Sequence, residues 1–277
     1  ESVEVSASIG LALYPRDADS AETLLVRADQ AMFAAKSAGR NQWAVFTPAL
    51  QRAEQERLRI TSDLRVALQQ DQLAVHYQPI VDMQTGKVRK AEALIRWTHP
   101  VRGEIDPADF IPVAEDSGLI VEIGKWVLNQ ALDQLMHWHA TLDNALQVSV
   151  NKSPIEFRVN ATGDQSWPKV VMRRGIPPHS LVVEITEGSL MADNADVVEH
   201  LNDFRRAGID IALDDFGTGY SSLSYLKRLP VSTIKIDRSF VIDVATDADD
   251  AAIVSAITGL ASSLQLGVVA EGVETAE

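Results

Sequence analysis

The stretch IALDDFGTGYSSL, residues 211–223, sets Asp214 and Asp215 side by side at the end of an apolar run. Two adjacent like charges there repel, and something positive must offset them. Strand alternation shows what surrounds them. Successive side chains of a strand point to opposite faces. In IDIALDD, Ile209, Ile211 and Leu213 oppose Ala212 and Asp214. The same alternation in AEALIRW, VSVNK, LVVEITE, TIKID and VVAEG puts aliphatic residues on one face. On the other it puts Glu92 with Leu94 and Arg96, then Asn151, Glu184, Lys235 with Asp237, and Glu271. Taken singly, a strand-end Asp reads as a turn or cap residue, and Glu184 or Glu271 as a solvent-facing strand tip. Six strands that all end in a charged or amide residue on one face are a different matter. Buried ionised carboxylates are very costly unless neutralised. Lys235 and Arg96 are too few to neutralise five of them. Divalent cations do so, and an all-oxygen donor set without cysteine favours Mg²⁺ or Mn²⁺ over zinc. Asp214 is then an inward ligand, and Asp215, before Gly217, reaches a second ion. Gly217 and Gly219 give the following loop its freedom.

The elements that must hold these residues come from the rest of the chain. Its 277 residues suit one large domain or two modest ones, and 46% hydrophobic with 23% charged residues is ordinary for a globular protein. No apolar run reaches the roughly 18 residues of a membrane span, and residue 1 opens in a strand-like segment rather than a signal peptide. The absence of cysteine excludes disulfides and thiolate sites and fits a reducing compartment. The formal net charge of −14 excludes a nucleic-acid duplex as partner but leaves room for a small anionic ligand at a locally inverted site. Residues 1–46 read strand, helix, strand, and residues 47–72 read as a charged connecting helix. From about residue 73 seven strand candidates follow: LAVHYQPIV, VRKAEALIRW, LQVSVNKS, LVVEITEG, IDIALDDFG, TIKIDRS and GVVAEGVE. Helical patterns lie between most of them, as in NADVVEHLNDFRRAG. Repeated βα units without a dinucleotide-binding glycine fingerprint predict a parallel α/β barrel rather than an open sheet, with an eighth strand missing or lying beyond the sequence.

The motifs YQPIV, EALIRWTHP, FIPVAEDSGLI, VNKSP, VEITEGSL, ALDDFGTGYSSLSYLKRLPVSTIKID and VVAEGVET, in this order over about residues 60–277, resemble the EAL domain family of cyclic-di-GMP phosphodiesterases. Residues 1–46 resemble the C-terminal part of a GGDEF, or diguanylate cyclase, domain whose signature turn lies upstream. The resemblance implies a modified (β/α)8 TIM-like barrel and hydrolysis of cyclic-di-GMP to linear pGpG with two Mg²⁺ or Mn²⁺ ions, Ca²⁺ inhibiting. It implies that Glu92, Asn151, Glu184 and Asp214 hold one ion and that Asp215 and Asp237 help hold the second. Lys235 and Glu271 would position or activate water, and Glu187 would anchor the DFGTGYSS loop, with Ser221 and Ser222 able to hydrogen-bond it. Gln78, Leu94 and Arg96 would hold the dinucleotide, Arg96 on a phosphate. Lys36 and Arg40 match nucleotide-contacting positions of the cyclase fragment. The resemblance also implies a homodimer with contacts beside that loop, a cytoplasmic place (free or as the cytoplasmic part of a membrane-anchored protein), and room for an upstream sensor domain.

Two features depart from the family pattern. The Gln-Gly pair of an eighth strand is absent, and VNKSP carries Lys152 and Pro154 where small or apolar residues are commoner. A catalytically inactive cyclic-di-GMP receptor is the competing reading, but such members lose a metal ligand or the DDFGTG loop, and here every motif ligand is present. A glycosidase needs a flanking carboxyl pair, not a converging Asn, Lys and acid set.

Overall fold

Each segment of apolar alternation becomes a strand because its aliphatic face has a helix to cover it. The computed structural model describes residues 5–158, 166–190, 195–219, 226 and 228–275. The chain divides into two units, residues 1–66 and 67–277. In the first, β1 (Ile9–Leu11) and β2 (Trp43–Val45) pair in parallel, joined by α1 (Ala21–Ser37). The Ser20 side chain caps α1 by accepting the Thr23 amide at 3.2 Å. Gly10 is required where α1 crosses β1, since a Cβ there would meet the Ala28 carbonyl oxygen at 1.9 Å. Helix α2 (Pro48–Ala67) follows, its Arg57 and Glu54 paired at 2.9 Å one turn apart.

The second unit opens with β3 (Leu73–Val81), β4 (Val88–His99) and β5 (Gly103–Ile105). Helices α3 (Pro107–Ser117) and α4 (Ile120–Thr141) lead to β6 (Gln147–Asn151), α5 (Pro154–Arg158) and α6 (Trp167–Arg173). Then come β7 (Leu181–Thr186), α7 (Glu187–Leu190), α8 (Ala195–Arg206) and β8 (Asp210–Phe216). β9 (Thr233–Ile236), α9 (Arg238–Val241), α10 (Ala248–Leu264) and β10 (Gly267–Ala270) complete it. The strands lie in the order β10-β9-β8-β7-β6-β4-β3, with β5 added to β4. The result is a mixed α/β curled half-barrel of the modified (β/α)8 kind, with β3 and β10 at its two ends.

One expectation is corrected. The run from β4 through β10 is parallel, but β3 pairs with β4 antiparallel. The connection between them spans only residues 82–87. A parallel crossover needs a dozen or more residues, so this spacing permits only a hairpin. Short antiparallel β5 was not expected at all.

The outward strand faces form the core. Val148, Val150, Leu181, Val183, Ile211 and Ile234 are fully buried. Helix α4 covers part of this face with Val127, Leu128, Ala131, Leu132 and Leu135, a stripe at helical spacing. Each Val, Leu or Ile among them contributes roughly 1.5–3 kcal/mol on full burial. Packing on the outside leaves the inner face to polar groups. Among the described residues no helix is long and apolar enough to cross a membrane.

Candidate metal centre

Parallel pairing brings the strand C-termini to one end of the half-barrel and puts their polar residues in register. Glu92 lies beside Ser149, Asn151 beside Glu184, Thr186 beside Asp214, and Lys235 beside Val269. The inward side chains converge on Lys235, which is only 2% exposed. Its Nζ lies 2.7 Å from Glu184 Oε2, 3.0 Å from Glu92 Oε2, 3.0 Å from Asp214 Oδ1 and 2.7 Å from Glu271 Oε1. Asn151 Nδ2 donates to the other Glu92 oxygen at 2.8 Å. Five strands and the residue after β10 thus supply one connected cluster. Of the residues read as inward-facing, Glu92, Asn151, Glu184, Asp214, Lys235 and Glu271 meet there.

Four carboxylates share one ammonium, and their ionisation shows it. Burial pushes the Glu184 carboxyl up to about 8; Lys235 opposes this, while Glu92 and Asp214 add to it. Burial also raises Glu271, with Lys235 again opposing and Asp214 and Glu92 adding. For Lys235, burial works against the charge, but Glu184, Asp214, Glu92 and Glu271 outweigh it and its pKa is raised. The ammonium is therefore favoured in its charged form, while the Glu184 carboxyl, the most buried acid of the cluster, is raised above its ordinary value.

The remaining acids lie at the C-terminal ends of β7, β8 and β9. Asp215 has a left-handed backbone (φ 53°), which turns it out of the strand alternation. Its carboxyl is raised by burial first and by Asp214 next. Glu187, at the end of β7, accepts the Gly217 amide on Oε2 at 3.1 Å and so tethers the loop after β8. Among the described residues its Oε1 is buried without a hydrogen-bond partner. Gly219 leaves room for that atom, since a Cβ there would lie 2.7 Å from it. Asp237 lies outside these groupings and caps α9, accepting the Ser239 amide at 3.0 Å. Ser221 and Ser222 lie outside the described residues.

The donor set fits hard divalent cations. Carboxylate oxygens of Glu92, Glu184 and Asp214 lie within 4.8 Å of one another, and so do those of Asp214, Asp215 and Glu271. The two groups share Asp214, and all their ligand atoms are oxygens. Gln78 stands opposite Glu92 across the β3–β4 pair, and Leu94 and Arg96 continue its face of β4. The Arg96 guanidinium donates to the Ile95 carbonyl at 2.8 Å. Sequence reasoning missed one polar feature beside the site, a buried pair between Lys152 and Glu156. Its signal was a Lys four residues before a Glu, directly after Asn151.

Comparison with known proteins bears on the family and the fold. A family model described as EAL domain matches residues 61–277, and one described as diguanylate cyclase, GGDEF domain, matches residues 1–42. The bifunctional diguanylate cyclase/cyclic di-GMP phosphodiesterase MucR of Pseudomonas aeruginosa is 45% identical over 273 residues, 99% of this chain and 40% of that protein. The cyclic di-GMP phosphodiesterase PdeR of Escherichia coli is 40% identical over 275 residues, 99% of this chain and 41% of that protein. The chain thus spans about two fifths of the length of these relatives. Among solved structures, the PaMucR phosphodiesterase in complex with c-di-GMP superposes with a TM-score of 0.73 at 45% identity, covering 79% of this chain and 88% of that one.

Proposed function

This chain belongs to the EAL domain family, with part of a GGDEF domain ahead of it, and from that membership we propose that it hydrolyses cyclic-di-GMP to linear pGpG with two Mg²⁺ or Mn²⁺ ions. The observation that carries the reading is the Lys235-centred cluster, in which the carboxylates of two overlapping three-acid groups come within 4.8 Å of one another. Glu92, Asn151, Glu184 and Asp214 would hold one ion, and Asp215 with Asp237 would help hold the other. Bound there, such a pair acidifies water and stabilises the phosphoryl oxygens of an in-line displacement.

The chain's own residues do the rest. Lys235 Nζ keeps Glu92, Glu184 and Asp214 aimed at one point and carries a proton beside the site of hydrolysis. Glu271, held by Lys235 at 2.7 Å, orients water from the β10 side. Arg96 neutralises a phosphate of the dinucleotide, while Gln78 and Leu94 line the face it lies on. Glu187 keeps the Asp215 loop closed through Gly217. One water adds across one P–O bond, so the product is the linear dinucleotide with a terminal phosphate.

Incubation of the chain with cyclic-di-GMP and Mn²⁺, followed by chromatography, tests the reading. Accumulation of pGpG is expected. Bound but uncut cyclic-di-GMP would make the chain a receptor instead.

A further inference from the structure

Immediately after Asn151 the chain buries a lysine that the proposed reaction does not use. Lys152 and Glu156 are 7% and 6% exposed, and their side chains meet at 3.1 Å. The ammonium also lies 4.3 Å from the ring centre of Trp167 and 5.1 Å from that of Phe157. The other Glu156 oxygen accepts the Ser153 amide at 3.1 Å. The Ser153 hydroxyl in turn donates to Glu115 Oε1 at 2.7 Å. The neighbouring helix makes room for this carboxylate. Gly124 lies within α4, and a Cβ there would come within 2.5 Å of Glu156 Oε2. A glycine inside a helix is less favourable than an alanine there.

Stability alone is a poor reason for this arrangement. A buried ion pair is often no better than apolar groups of the same volume, and its attested use is to fix one geometry. What it fixes is legible in the backbone. The Lys152 amide donates to the Glu184 carbonyl at 2.8 Å, extending the β6–β7 pairing one residue past Asn151. Asn151 is thus pinned on its C-terminal side by a residue whose side chain is held by α5, the aromatic rings and, through Glu156, α4. We propose that the Lys152–Glu156 pair, seated against Gly124, is a positioning device that holds Asn151 in the orientation it needs as a metal ligand. The inference rests on the metal reading above and extends it to residues that touch neither metal nor substrate.

The test is Mn²⁺ binding to the whole chain by titration calorimetry. The variants are Gly124→Ala, Glu156→Gln and the double variant Lys152→Met/Glu156→Leu, with Asn151→Ala as reference. Gly124→Ala favours the helix but drives the carboxylate off Lys152. The double variant leaves no unpaired buried charge, so its melting temperature stays near that of the wild type. All three are expected to weaken Mn²⁺ binding by about 10-fold or more, the scale of lost outer-shell support. At saturating Mn²⁺ the KM for cyclic-di-GMP is expected to stay at the wild-type value, which general loosening of the barrel would not allow. A double variant that is folded and binds Mn²⁺ within about twofold of wild type overturns the inference. If Asn151→Ala weakens binding in that experiment, only the positioning role falls. If Asn151→Ala is also unchanged, the assignment of Asn151 as a ligand falls with it.

Discussion

Glu92 shows how far single residues were legible. Alternation places it inward with Leu94 and Arg96, and it is inward, bound to both Lys235 and Asn151. Alternation assigns a face but not a neighbour, so the fourfold engagement of Lys235 could not be read from it. Lys152 shows the opposite failure. A lysine at an apolar position registers only as a departure until its carboxylate, its aromatic rings and a helix glycine are seen together. Replacement of Glu92 by Ala is expected to cut pGpG formation by at least about 100-fold, since a direct ligand should cost no less than outer-shell support. Far-UV circular dichroism should be unchanged, and turnover near the wild-type rate would exclude Glu92 as a ligand. Glu184 carries a pH dependence. Its carboxyl in the folded protein lies near 8, above its ordinary 4.5. Between those values the folded state binds more protons than the unfolded one, so this group stabilises the metal-free protein below 4.5 and that contribution is lost as pH rises through about 8. Melting curves in chelator should therefore fall across that window, and Glu184→Gln should flatten the fall. An unchanged slope in the variant would contradict the assignment.

At the scale of elements, strands were legible where both periodicity and burial were strong. β6, β7 and β8 run nearly fully buried on their outer face and coincide with QVSVN, LVVEIT and DIALDDF. Strand direction was not legible from alternation, because the two faces of a strand look the same whichever way it runs. Only the short β3–β4 connection carried that information. The loop after β8 is the element on which the proposed metal binding turns. Glu187 holds it through the Gly217 amide, and Gly219 leaves space for the Glu187 carboxylate. Glu187→Ala and Gly219→Ala are therefore expected to act alike, shifting the Mn²⁺ dependence of turnover to higher concentration with little change in melting temperature. Should either variant keep the wild-type metal dependence, the tether is not what orders Asp215.

The whole molecule joins two units of unequal legibility. The barrel unit announces itself through seven ordered motifs, whereas the first 46 residues carry half a domain's pattern and none of its signature turn. The resemblance also implies a homodimer, for which light scattering should report twice the 30.2 kDa chain mass. Ca²⁺ should bind the acidic cluster yet inhibit, because it accepts longer and looser oxygen coordination than Mg²⁺. Turnover in Ca²⁺ equal to that in Mg²⁺ would rule out a site built for the smaller ion. The central claim, that a divalent-cation site at the Lys235 cluster cuts cyclic-di-GMP, is tested most directly by following pGpG formation while the metal is removed and returned. With Mn²⁺ the wild type should form pGpG, stop on chelation and resume when Mn²⁺ is restored, and Asp214→Asn should stay silent throughout. Continued hydrolysis in chelator, or full activity in Asp214→Asn, would contradict it.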